Sequence, residues 1–144
     1  VLGHSGCGAV ASAVDTYLNP AQYLALATRP ALRLIIDRLL IAVRAAALSL
    51  RRTFGEGVES NAGYRAALLE VSVVLNAALG ANTLRREFPE SGVEVMFGVY
   101  HLGSRRVGLP GQPGLHPPPQ SAEDFARLAA EVAQTPDIAG TVNS

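Results

Sequence analysis

An α/β fold is what this sequence predicts, and three observations predict it. A short apolar run at the start ends in glycine and passes through a tight turn into an Ala-rich helical segment. Two long segments farther on carry apolar residues at helical spacing. A later run, VEVMFGVY, places apolar or small side chains on both faces except at Glu94, as a strand covered on both sides does. With 144 residues the chain can bury one core but not two independent ones.

In order, residues 1–3 read as a strand and residues 4–8 as a turn. Residues 9–18 carry Val10, Ala13, Val14, Tyr17 and Leu18 at helical spacing until Asn19-Pro20 ends the run. A short helix covers residues 21–27. From 31 to 52, Leu32, Ile35, Ile36, Leu39, Leu40, Val43, Ala47 and Leu50 make one broad stripe, with Arg33, Asp37, Arg44 and Arg51 elsewhere on the helix. Gly55-Glu56-Gly57 breaks that pattern. Ser60 or Asn61 then caps a second long helix reaching about Phe88. A turn over residues 89–92 leads into the strand over 93–100, and Gly103-Ser104 turns the chain back into a return strand over 106–109. Residues 110–120 hold five prolines and read as an extended surface linker. A helix restarts at Ser121, with Asp124 in a capping-box position, and runs to Gln134. The last ten residues are expected to fray. The reading divides the chain into a domain over 1–110 and a Pro-rich linker with a short helix over 111–144.

Composition narrows the function classes. Twelve Lys and Arg, all of them Arg, balance twelve Asp and Glu. The basic residues are scattered, so neither nucleic acid nor an anionic membrane is an expected partner. The longest apolar stretch, 32–50, is interrupted by Arg33, Asp37, Arg38 and Arg44, which argues against a membrane span. Cys7 is the single cysteine, so no intrachain disulfide forms, and a cytoplasmic location is expected.

The chemistry-bearing motif is His4-Ser5-Gly6-Cys7. His-x-x-Cys alone is met more often by a buried cysteine beside a turn histidine than by a metal site, which needs three or four ligands. Glycine on both sides of Cys7 permits the tight backbone that aims an imidazole and a thiolate at one ion.

The string VLGHSGCGAV resembles the second metal-binding motif of β-class carbonic anhydrases, in which a strand ends in Gly-His-Ser-x-Cys-Gly. Residues 95–109, VMFGVYHLGSRRVGL, resemble the family's late strand and hairpin, and 64–87 resemble the helix before it, so the likeness covers about residues 1–110. The chain departs from the pattern at Gly98, one residue nearer Tyr100 than usual, at His101 in place of Asp, and at Arg105 in place of the turn glycine.

The resemblance implies a mostly parallel sheet flanked by helices with an antiparallel edge hairpin, lacking its N-terminal strands. It further implies Zn²⁺ as cofactor with His4 and Cys7 as two of its ligands, and Gly8 as the residue whose backbone N–H approaches the bound substrate. CO₂ and bicarbonate would be the substrates, interconverted by a homodimer or higher oligomer. The family's upstream motif, Cys-x-Asp-x-Arg, supplies the third protein ligand and an Asp-Arg pair, and no such run occurs in these 144 residues. A truncated start is therefore expected, with weak zinc binding and no catalysis by this chain alone. Hydrolysis of CS₂ or COS at the same ligands, and a metal-free interaction domain, are the rival readings. His101 and His116 are expected to be solvated rather than proton shuttles.

Overall fold

A computed structural model describes residues 1–90 and 92–144. Strand β1 (Leu2–His4) turns into helix α1 (Gly8–Leu18), and a one-turn helix α2 (Ala21–Leu24) leads to the long helices α3 (Pro30–Phe54) and α4 (Tyr64–Glu87). A hairpin of β2 (Gly98–His101) and β3 (Arg106–Leu109) follows, then a two-residue strand β4 (Gln112–Pro113) and helices α5 (Ala122–Ala133) and α6 (Pro136–Val142). The turn expected over 89–92 includes Ser91, which lies outside the described residues.

The mostly parallel sheet flanked by helices is not what forms. Helix accounts for 60% of the chain, and the sheet is a small mixed one in the order β1-β2-β3-β4. Only β1 and β2 run parallel, with His4 in register with Tyr100, while β2–β3 and β3–β4 are antiparallel. Connection length explains the difference. Helices α1 to α4 lie between β1 and β2 and provide a parallel crossover. The later strands are joined by tight turns, which permit only antiparallel pairing. The expected strand over 93–100 is regular only from Gly98; before it, Phe97 makes an isolated bridge to His116.

Helix α4 is the centre of the core. It packs against α1, α3, α5 and α6, and it is the helix that lies on β1 and β2. Its buried residues, including Leu68, Val71, Val73, Val74, Leu75 and Ala78, point in every direction around the axis. This explains why α4 is long and apolar enough to cross a membrane by length and composition while 56% of that apolar window is buried inside the fold. A helix that is hydrophobic all round belongs in a core or a membrane, and here neighbours cover it.

Close approach to α4 depends on small residues. A Cβ on Gly3 would stand 3.1 Å from Val73 Cγ1 and 3.3 Å from Val73 O, so glycine lets β1 settle onto the helix. At the other contact, a Cβ on Gly63 would collide with the backbone carbonyl of Thr141 in α6.

The stripe expected on α3 forms in part. Ile36, Leu39, Leu40, Val43, Ala47 and Leu50 are buried, whereas Leu32 and Ile35 near its N-terminus are exposed. Pro30 occupies the first turn, where its missing N–H costs no hydrogen bond, and Arg51 and Arg52 sit in the last turn, where cations oppose the helix dipole.

The C-terminal third packs more than the sequence suggests. Within the expected linker, β4 pairs with β3, Pro118 is buried, and Asn82 of α4 donates a 2.7 Å hydrogen bond to Pro119 O. The capping box forms as expected, with Asp124 N donating to Ser121 Oγ at 3.1 Å and Ser121 N to Asp124 Oδ2 at 3.2 Å. The expected frayed end is instead α6, whose Ile138 and Val142 are buried. Ile138→Ala is therefore expected to lower stability by about 2–5 kcal/mol in denaturant unfolding. A change within about 0.5 kcal/mol, as at an exposed site, would contradict this packing.

Two carboxylates are held below their ordinary values. Arg65 of α4 donates hydrogen bonds of 2.7 and 2.9 Å to both oxygens of Asp15 in α1, which outweighs the opposing push of desolvation. Asp124 is lowered by backbone hydrogen bonds from Gln120 and by its bonds to Ser121, helped by Arg127. A depressed carboxylate contributes stability that is present above its unfolded value, about 3.9, and lost as pH falls through the folded value. The thermal midpoint should thus fall below about pH 4 as these two carboxylates protonate, while Glu70, whose carboxyl is raised by burial, has the opposite sign and adds stability as it protonates at higher pH. Asp15→Asn should reduce that fall. Both groups are only partly buried, so the effect is modest; a wild-type-sized acid fall in Asp15→Asn would exclude the pair as a cause.

Candidate metal centre

The turn that carries His4 and Cys7 is built by strand, glycine and hairpin together. Gly3 faces α4, so alternation along β1 places Leu2 and His4 on the opposite face, and both are exposed. Gly6 has φ +67°, a conformation in which a Cβ is strained, and it redirects the chain into α1. Cys7 is the N-cap residue of α1, half-buried against the core, and its carbonyl accepts the first helical bond from Ala11 N at 2.8 Å.

Ser5 locks this turn to the hairpin. Its N–H donates to Tyr100 O at 3.0 Å, and its Oγ accepts from Leu102 N at 3.0 Å. A residue read in the sequence as shaping the turn therefore also ties it to β2 from ninety-seven positions away in the chain. At the far end of the hairpin, Arg105 takes φ 58°, the only non-glycine residue among those described with positive φ. It stands where the resembled pattern has glycine.

His4 Nδ1 lies 3.2 Å from Ser5 O. With Nδ1 donating to that carbonyl, Nε2 carries the lone pair, the arrangement in which a histidine ligates a metal. Cys7 is a free thiol. Imidazole and thiolate are ligand types that suit zinc. A zinc centre requires a third protein ligand at least, and among the described residues no group of three or more His, Cys, Asp or Glu comes together to hold a metal ion.

Gly8, the expected substrate contact, opens α1 in free space: a Cβ there would meet no atom within 4 Å. The other two histidines differ from each other. His101 ends β2 and is partly exposed. His116 is not merely solvated in a loop, since it bridges Phe97, its ring lies 6.2 Å from the Phe97 ring, and its Nε2 is buried with no hydrogen-bond partner among the described residues. The bridge arises because the Pro-rich segment folds back along β3 rather than running free.

The two glycines beside Cys7 should respond oppositely to alanine. Gly6→Ala forces a Cβ into the left-handed region and is expected to cost about 1–2 kcal/mol. Gly8→Ala meets no obstacle and should stabilise the chain by about 0.4–1 kcal/mol through the unfolded state. Equal effects in chemical denaturation would contradict the turn geometry. No family model, curated protein or solved structure matches the chain.

Proposed function

We propose that the turn from His4 to Cys7 is a partial zinc-binding unit of a β-carbonic-anhydrase-like protein that interconverts CO₂ and bicarbonate. The remaining ligands would come from outside residues 1–144. The observation that carries this reading is the strand-turn-helix that displays an imidazole and a thiol three residues apart, held by Ser5 to the hairpin. The chain's own residues would position and orient: Ser5 fixes the turn, Ser5 O orients the His4 ring, and the open space at Gly8 leaves room for a small substrate beside the first turn of α1.

The isolated chain should bind zinc weakly, one ion per molecule, and hydrate no CO₂ above a buffer control. Equilibrium dialysis with zinc tests this directly. His4→Ala and Cys7→Ser should each weaken binding by more than the roughly 10–100-fold that loss of an outer-shell partner causes. Zinc uptake unchanged in both variants would sink the proposal, as would one zinc retained through dialysis together with CO₂ hydration, because two donors would then have done the work of a full site.

A further inference from the structure

A surface helix turns its apolar stripe to the core and keeps polar side chains on the side facing water. Helix α3 obeys the first half of that rule and breaks the second. On its outer side Leu34, Ile41 and Leu48 are 61%, 62% and 46% exposed. They stand seven residues apart, about 20° short of two full turns each time, so they form one nearly straight ridge. At 1.5 Å per residue the ridge is about 21 Å long. Six of the fourteen large apolar residues exposed among those described lie between Leu24 and Leu48, so apolar exposure is concentrated on this part of the surface.

Charge is concentrated there too. Residues 29–54 hold six of the chain's twelve cations and a single acid, Asp37. Spread along the chain, these arginines give no reason to expect an anionic membrane as partner; it is the helix that gathers them. Asp37 is taken by Tyr23, whose hydroxyl donates to it at 2.6 Å, and by Arg33. Arg51 is paired with Glu56 and Glu59. Arg38, Arg44 and Arg52 are exposed and have no ion-pair partner among the described residues. Arg38 and Arg44, three residues before and three after Ile41, lie on opposite sides of the ridge, about 60° from it. Arg52 closes its C-terminal end.

The flanks of the ridge decide what covers it. A second α3 laid against it would set these arginines against their own copies, and like charges across an interface repel. A partner helix in a coiled coil needs a second apolar row three or four residues on from the first. Here those rows are Asp37, Arg44 and Arg51, or Arg38, Ala45 and Arg52. An anionic bilayer needs only the one row. Apolar side chains enter the headgroup boundary, and guanidinium groups beside them bind phosphate through paired hydrogen bonds.

We propose that the outer face of α3 docks on a bilayer surface rich in anionic lipid, with Leu34, Ile41 and Leu48 entering the headgroup boundary and Arg38, Arg44 and Arg52 against lipid phosphates. The surface does not rest on the zinc reading.

Co-sedimentation with vesicles is the test, comparing phosphatidylcholine alone with phosphatidylcholine mixed with phosphatidylglycerol. The full chain should bind the anionic vesicles at least about tenfold more tightly than the neutral ones, and raising the salt from about 0.1 M to about 1 M should weaken that binding. Arg38→Gln and Arg44→Gln should each weaken it about fivefold. Leu34→Ser and Ile41→Ser together should weaken it at least about tenfold. These positions are solvated, so the thermal midpoints should barely move, which separates lost docking from lost folding. Arg106→Gln, an exposed position on the hairpin, should change binding less than about twofold. No binding to anionic vesicles, an equal loss in Arg106→Gln and Arg44→Gln, or binding untouched by the Leu34→Ser and Ile41→Ser pair would each overturn the proposal. So would capture of a soluble helix of Leu and Glu heptads, or a dimer abolished by Ile41→Ser, in a chain that ignores vesicles, since the face would then belong to a protein partner.

Discussion

Burial of the middle of α4, from Val71 to Ala78, is the constraint on which the other elements depend. From Val71 to Ala78 buried apolar or small side chains face almost every direction, with Asn76 half-buried among them, so this stretch has no solvated face, while exposed Arg65, Glu70 and Arg86 lie toward the ends of the helix. The fold covers it with α1, α3, α5 and α6 and with the first two strands. That requirement explains why helices gather around a helix rather than flank a sheet, and why the sheet stays small. It also explains the backbone approaches at Gly3 and Gly63, where any side chain would hold a neighbour away from α4.

The same arrangement positions the His4–Cys7 turn. Strand β1 is held from one side by α4 and along its edge by β2, so the chain leaves it at a defined place and direction. Ser5 then bonds to the hairpin, and Gly6 bends the backbone into α1. His4, exposed, and Cys7, half-buried against the core, thereby stand on a braced turn, and among the described residues no group of three or more His, Cys, Asp or Glu comes together to hold a metal ion. The functional reading accordingly rests on a braced turn and a sequence likeness, and it assigns this chain a contribution to a site rather than a whole one.

Local chemistry was legible in the sequence, and long-range arrangement was not. The Ser121–Asp124 capping box, the turn over 4–8 and the end of α4 near Phe88 follow from residues within a few positions of one another, and each formed; the start of α4 did not follow, since Ser60 and Asn61 fall in and after a separate turn of helix over Val58–Ser60 and α4 begins at Tyr64 with Gly63 as its N-cap. The sheet did not follow, because strand direction depends on which distant segments meet and on the lengths of the connections between them. The tail was misread for another reason. Thr135 and Pro136 are helix-start signals and Ile138 and Val142 stand one turn apart, but Gly140 and the polar residues between them dilute the pattern. Leu32 and Ile35 match the α3 stripe in spacing yet remain exposed. The apolar cavity between α3, α4 and α5 could not be read at all, since residues from three separate parts of the chain line it.

Amide hydrogen exchange measured residue by residue most directly tests the central place of α4. Amides from Val71 to Ala78 should exchange only through global unfolding and be the slowest in the molecule, with Ser5 and Leu102 protected by the bonds that tie the turn to the hairpin. Rapid exchange along α4, while α3 and the sheet remain protected, would contradict a fold organised around that helix.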